Sequence, residues 1–283
     1  MGIGHSRKWD SDRLTQMQNE QKLRFDDGAV YERMMGKWSQ LTADIFLDWL
    51  APPQSARWLD VGCGNGAFTE KIVQRCAPTA VSGIDPSDGQ LAYARTRPSA
   101  RSAKFSQGDA MSLDFHDDSF DVAIMALVIF FVPEPAKGVA EMARVVCPGG
   151  IVAAYAWDVL GGGLPFEPIE AEMRAMGFIP LRPPSVEASR IAILRDLWIG
   201  AGFAAVETRA ITVQRSFEDF DDFWIASTMA PSIGPRVAAM TASDAEVLKH
   251  RVRSLMPSDA AGQIICNARA NAVRGRVKGV THD

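Results

Sequence analysis

The feature that most constrains this chain is a regular alternation of short apolar runs and helix-period stretches between residues 56 and 157. The spacing predicts strands at 56–61, 80–84, 104–107, 120–126 and 151–157. It predicts helices between them at 68–76, 89–96 and 136–146. Phe68, Ile72 and Val73 face inward on the first of these helices, and Val139, Met142 and Val146 on the last. Strands and helices in this rhythm build βαβ units, so the expected fold is α/β, a doubly wound, mostly parallel sheet covered on both faces.

Helical periodicity also runs through 31–50, with Trp38, Leu41, Ile45 and Trp49 near one face, and Pro52-Pro53 stops it. Past Asp158 the rhythm breaks at Gly161-Gly162-Gly163, a flexible joint. Helices follow at 167–176 and 186–199, and further strands at 205–213 and 263–273 bring the sheet to seven. A helical stretch at about 217–256 is inserted between those two strands. The expected organisation is an N-terminal helical cap (1–55), a core (56–158) and a C-terminal part (159–283). That last part carries a lid or core helix and an insertion at about 216–258.

Composition narrows the class. Hydrophobic residues make up 47% and charged residues 23%, which fits a globular domain and excludes a disordered chain. The net charge of −4 argues against general nucleic-acid binding. Cys63, Cys76, Cys147 and Cys266 are scattered and unpaired, as expected in a reducing, cytoplasmic compartment, and no zinc-type ligand spacing occurs. The longest apolar run, 122–132, is too short to span a bilayer. The first residues match the M-G-x-x-x-[ST] myristoylation pattern without a supporting basic cluster, and the match is read as coincidence.

The loop Leu59-Asp60-Val61-Gly62-Cys63-Gly64-Asn65-Gly66-Ala67 follows the first strand and opens a helix. Glycines there allow a tight turn and close approach of a ligand to the backbone, at the carboxyl edge of a parallel sheet. Asp85 ends the second strand, where a carboxylate can accept from both ribose hydroxyls or simply cap the turn before Pro86. Both features also suit a dinucleotide. Asp60 does not: a carboxylate two residues before Gly62 repels a pyrophosphate and suits a cationic ligand, directly or through the loop it braces. Gly108-Asp109-Ala110 ends the third strand, where a carboxylate can accept from an adenine amino group.

These segments resemble the class I S-adenosylmethionine-dependent methyltransferases of the ubiquinone/menaquinone-biosynthesis type, methyltransferase type 11-like. So do 120–133 and Ala143-Arg144-Val145-Val146-Cys147-Pro148-Gly149-Gly150. The resemblance runs in order over about residues 57–157, and the flanks look like an uncharacterised bacterial branch of the same superfamily. It implies a Rossmann-like fold and S-adenosylmethionine as cofactor, leaving S-adenosylhomocysteine as product. It also implies that Gly62, Cys63 and Gly64 line the methionine moiety with Asp60 near its ammonium, and that Asp85 holds the ribose. Pro86 and Gln90 would flank the adenine, and Asp109 and Ala110 would read its edge. Ala126 and Leu127 would give backbone contacts near the amino-acid end. Phe131 stands where relatives often carry histidine, and Asn65 where threonine is common.

Tyr31 and Trp38 on the entry helix are candidates to close over the cofactor. Phe131, Tyr155, Trp157 and Trp224 are candidates for the acceptor side, and Asp158 is a candidate base or a loop anchor. The implied reaction is in-line methyl transfer to a small, partly apolar molecule by a monomer or homodimer, with no metal, nucleic-acid or membrane partner. Two alternatives stay open: an NAD-dependent oxidoreductase, and a binding protein of the same fold without transferase activity.

Overall fold

Strand β1 (Arg57–Val61) pairs in parallel with β2 (Ala80–Asp85) on one side and β4 (Phe120–Ala126) on the other. β3 (Lys104–Gln107) lies outside β2, and β5 (Val146–Trp157) beyond β4, all parallel. β7 (Ile264–Arg276) runs antiparallel between β5 and the edge strand β6 (Ala204–Phe217), so the seven-stranded order is β3-β2-β1-β4-β5-β7-β6. This computed structural model describes residues 27–279. The myristoylation pattern, His5, His282 and the first 26 residues of the expected cap lie outside the described residues.

Both faces of the sheet are covered. Val122, Ala123, Ile124 and Met125 of β4 are all fully buried, as a strand flanked by helices on both sides requires. One face carries α1 (Gly28–Tyr31), a π-helical turn (Glu32–Gly36) and α2 (Lys37–Leu50), which together form one continuous entry helix, and α3 (Ala67–Cys76). The other face carries α5 (Pro135–Val145) and α7 (Ile191–Gly200), where the indole N–H of Trp198 donates to the carbonyl of Val152 at 2.9 Å. α4 (Asp88–Ala94) starts on a Ser87 cap after β2.

Three expectations are corrected. The helix expected at 186–199 is a short tight turn, Val186–Ser189, then an extended Arg190, then α7. β6 runs on to Phe217 although Gln214-Arg215-Ser216 is polar, because the ladder with β7 continues through Gln214–Asn267 and Arg215–Cys266 and an edge strand tolerates polar residues on its open face. The three glycines are no free joint. Gly163 donates to the Asp158 carbonyl at 2.8 Å and accepts from the Arg269 N–H at 2.9 Å. The following helix α6 (Glu167–Ala175) buries Ile169 and Met173 completely, so it belongs to the core rather than to a lid. The insertion folds as α8 (Phe220–Thr228), α9 (Gly234–Ala238) and α10 (Ala242–Leu255), and α10 packs on α6.

Candidate functional site

Side chains alternate across a strand, so Asp60 points to the same face of β1 as Trp58, beneath the entry helix and α3. Thr69 on α3 donates to Asp60 Oδ2 at 2.6 Å, while Oδ1 is buried without a hydrogen-bond partner. Burial, the largest cause, pushes this carboxyl up to about 7; the Thr69 hydroxyl lowers it and the Asp85 charge raises it.

The loop after β1 is pinned to the end of β2. Gly62 and Cys63 N–H both reach the Ile84 carbonyl at 2.8 Å, and Gly66 N–H reaches the Cys63 carbonyl at 2.9 Å. Gly62 has φ +75°, and a Cβ there would lie 2.6 Å from both methyls of Val128, so only glycine fits. Gly64 (φ +51°) donates to Asp85 Oδ2 at 2.9 Å, and Ser87 N–H donates to Asp85 Oδ1 at 2.9 Å. At the end of β4, Leu127 is held at φ +63° by its N–H bond to the Tyr155 carbonyl, 2.8 Å. A non-glycine residue in that region is strained and persists where its surroundings over-determine it.

These parts enclose a cavity of about 590 Å³ at the carboxyl rim of the sheet. Asp60, Gly62, Cys63 and Gly64 form its floor, with Asp85, Pro86 and Gln90 along one wall. Ala126, Leu127 and Phe131 form the opposite wall, and Tyr31 and Tyr155 close the side under the entry helix. Tyr155 packs between Phe46, ring centroids 4.7 Å apart, and Phe68, 5.9 Å. Burial pushes the Tyr31 hydroxyl up to about 12, so it stays a neutral phenol. Phe68, expected only as an inward-facing residue of its helix, also lines the cavity, as do Val128 and Arg182, which are not among the site residues expected from the sequence.

Six candidates sit elsewhere. Trp38 is 2% exposed and packs on Phe217, centroids 6.3 Å apart, because the π-helical turn rotates it into the core. Asp109 is exposed and spends one oxygen on the Met111 N–H at 2.8 Å, while Ala110 packs on the core of the opposite face. Trp224 stacks on Phe220 at 6.0 Å under Lys249, away from the cavity. Trp157 lines a smaller neighbouring chamber. Asp158 is bound by Arg269 Nη2 at 2.6 Å and accepts from Gly161 N–H at 3.1 Å, the contacts of the loop-anchor alternative.

The floor fits an adenosyl cation better than a dinucleotide. A buried, half-satisfied carboxylate beside Gly62 would face a pyrophosphate at the place where a phosphate needs donors, whereas a cation gives Asp60 Oδ1 a partner. Among the described residues no cluster of His, Cys, Asp and Glu could hold a metal ion, and no helix is long and apolar enough to cross a membrane.

Comparison with known proteins agrees with this geometry. Residues 59–154 match the family model described as a methyltransferase domain. The chain is 35% identical over 128 residues to 2-methyl-6-phytyl-1,4-hydroquinone methyltransferase 2, chloroplastic, of Oryza sativa, covering 43% of this chain and 36% of that protein. It is also 35% identical over 122 residues to the demethylmenaquinone methyltransferase of Staphylococcus aureus, covering 42% and 48%. The chain thus spans less than half the length of these curated relatives. In fold it is similar to phosphoethanolamine N-methyltransferase 2 of Haemonchus contortus, solved with phosphomonomethylethanolamine and S-adenosylhomocysteine. The TM-score there is 0.55 at 18% identity, over 88% of this chain and 56% of that one.

Proposed function

We infer that this chain, whose residues 59–154 match the methyltransferase domain, is an S-adenosylmethionine-dependent methyltransferase acting on a small, partly apolar molecule. The observation that carries this reading is Asp60: a buried carboxylate with an unpartnered oxygen in the floor of the cavity at the sheet's carboxyl rim. A fold of this kind hosts many activities, so the argument rests on that site and not on the architecture.

When bound, S-adenosylmethionine supplies an electrophilic methyl on a positively charged sulfur, which a nucleophile displaces in line to leave S-adenosylhomocysteine. Asp60 would sit by the cationic amino-acid end, and the ionised form of its carboxyl is the one that favours it. Asp85 would accept from the ribose hydroxyls, while Gly62 and Gly64 let the ligand approach the backbone. Pro86 and Gln90 would flank the adenine. Leu127, Phe131 and Tyr155 would exclude water and hold the acceptor in line, which is where most of the rate enhancement for such a displacement can come from. The chain offers no assigned base; positioning suffices when the acceptor atom is already nucleophilic.

The quinol-methylating relatives support an aromatic acceptor class. The free cysteines Cys63, Cys76, Cys147 and Cys266 support a reducing, cytoplasmic setting, with the protein acting as a monomer or homodimer on a small molecule rather than on nucleic acid. Titration calorimetry with S-adenosylhomocysteine and with NAD tests the reading. Binding of the first and not the second is expected; binding of NAD alone would replace it with a dehydrogenase.

A further inference from the structure

Among the described residues, the large cavity is lined by two carboxylates, Asp60 and Asp85, and by one basic side chain, Arg182. Arg182 also lines the smaller neighbouring chamber of about 70 Å³, so it stands at the junction of the two. Glu170 of α6, 1% exposed, accepts from Arg182 Nη1 at 2.6 Å through Oε2. The grip is at one point, since Glu170 Oε1 is buried without a hydrogen-bond partner. Among the described residues, Nε and Nη2 of Arg182 form no hydrogen bond, and its side chain is 27% exposed. Arg174 Nη1 stands 3.6 Å from the same Glu170 oxygen, so Glu170 does not draw its countercharge from Arg182 alone. The backbone under Arg182 is held. It lies in Pro180-Leu181-Arg182-Pro183-Pro184, where each proline fixes its own φ and restricts the residue before it. Ser185 then ties the segment to the turn after β4, by its N–H to the Phe130 carbonyl at 3.0 Å and its hydroxyl to the Val132 carbonyl at 2.7 Å.

Resting on the reading of the larger cavity as the cofactor site, we propose that the Nε–Nη2 edge of Arg182 is a carboxylate-binding site at the junction of the two cavities. That edge presents two parallel N–H donors at the spacing of the two oxygens of a carboxylate. Glu170 takes a different N–H and holds the guanidinium in place, so it is a positioning residue for the site. A carboxylate at the open edge exchanges its hydration for two charge-assisted bonds. A primary amide of the same shape offers one acceptor oxygen, and its own N–H groups face the donors of the guanidinium. Two molecules can bring the acid group. One is the cofactor, whose amino-acid end carries an ammonium and a carboxylate: Asp60 answers the first, and the second needs a donor. The other is a methyl acceptor with an acid group, its apolar body lying against Met34, Met35 and Phe166 of the smaller chamber.

The test uses the full chain and two pairs of probes, followed by titration calorimetry or ligand-observed NMR. S-adenosylhomocysteine and its decarboxylated analogue differ by the carboxylate of the cofactor. Benzoate and benzamide, added to protein saturated with S-adenosylhomocysteine, differ by charge at nearly equal shape. In one pair, Arg182→Met should weaken the carboxylate member by about tenfold or more and leave the neutral member within about twofold. A loss in the first pair assigns the acid group to the cofactor, and a loss in the second assigns it to the acceptor. Because Arg182→Met strands Glu170, the pairs are also measured on Arg182→Met/Glu170→Gln, where the same contrast is expected. Arg182→Lys keeps the charge without the fork and should restore only part of the loss. Glu170→Gln alone should narrow the preference for the carboxylate while the decarboxylated analogue binds as before. Equal effects of Arg182→Met on charged and neutral members, or no effect on either pair, overturn the proposal. If neither adenosyl probe binds the unmodified protein, the cofactor reading falls, and the contrast between benzoate and benzamide still decides the carboxylate site. Adenosyl binding without any preference that depends on Arg182 removes the carboxylate site alone.

Discussion

Arg97 Nε donates to the carbonyl of Asn65 at 2.6 Å, so a buried guanidinium beyond α4 holds the glycine loop in place. The same group binds Glu70 of α3 at 2.9 Å and Glu32 of the entry helix, and Glu32 in turn accepts from the Asn65 amide at 2.9 Å. One residue, 8% exposed, thus ties the loop, α3 and the helix that roofs the cavity. Removing one member of a buried charged network strands the others. Arg97→Met is expected to lower stability by about 3–5 kcal/mol in urea unfolding. Arg97→Lys should recover only part of this, because an ammonium cannot reproduce the fork.

Asp60 makes cofactor affinity and stability depend on pH in opposite directions. Its carboxyl titrates near about 7 in the protein, raised from 3.8 chiefly by burial. A cation beside it favours the ionised form, so S-adenosylmethionine binding should expel a proton and tighten as pH rises, by up to about tenfold per unit below pH 7. Calorimetry in buffers of different ionisation enthalpy reads the proton directly. The free protein should lose stability from about pH 4 to about pH 7, where the unfolded chain is ionised and the folded one protonated, and hold level above that. Asp60→Asn should remove this slope and gain about 1–3 kcal/mol at alkaline pH, while losing cofactor affinity.

Gly62→Ala would place a methyl 2.6 Å from Val128 in a left-handed backbone. Loss of S-adenosylhomocysteine binding is expected. Adding Val128→Ala should restore part of it, leaving a backbone cost of about 1–2 kcal/mol. Full recovery in the double variant would show that contact, and not conformation, demands the glycine.

Asp158→Asn is expected to leave turnover unchanged once an acceptor is in hand. Its partner is Arg269 across the loop, half-exposed, so the thermal midpoint should fall by an amount equivalent to about 1 kcal/mol or less. A loss of turnover at unchanged stability would return Asp158 to the chemistry.

At the opposite, amino-terminal end of the strands, Arg57 donates to Asp121 from its backbone N–H at 2.7 Å and from Nη2 at 2.8 Å, which lowers the Asp121 carboxyl to about 2. The stabilisation is complete above the ordinary carboxylate range and disappears as pH falls from about 4 to about 2. Because both groups are partly exposed, Asp121→Asn should cost only about 1 kcal/mol at neutral pH, measured by denaturant unfolding.

The floor of the cavity was legible because it is local: a strand, three glycines and a carboxylate at fixed offsets leave the backbone few choices, and Asp60, Gly62, Gly64 and Asp85 come together on the page as in space. The same holds for strand 120–126, whose apolar run matches the observed bounds. Trp38 misleads because a π-helical turn shifts the face of the entry helix, and such a turn leaves no periodic trace. Asp158 misleads because its partner lies 111 residues away.

The alternation of apolar periods determined the strands and helices of the core and the parallel sense of its βαβ units, since each unit depends on neighbours in the chain. Tertiary structure alone decided what surrounds the carboxyl rim of the sheet: Arg97 under the loop, Arg182 between the two cavities, and the Glu170 pair with the unpartnered Trp157 in the smaller one. Those contacts join segments with no pattern of their own, and charge pairing and burial across such distances exist only once the chain has closed on itself.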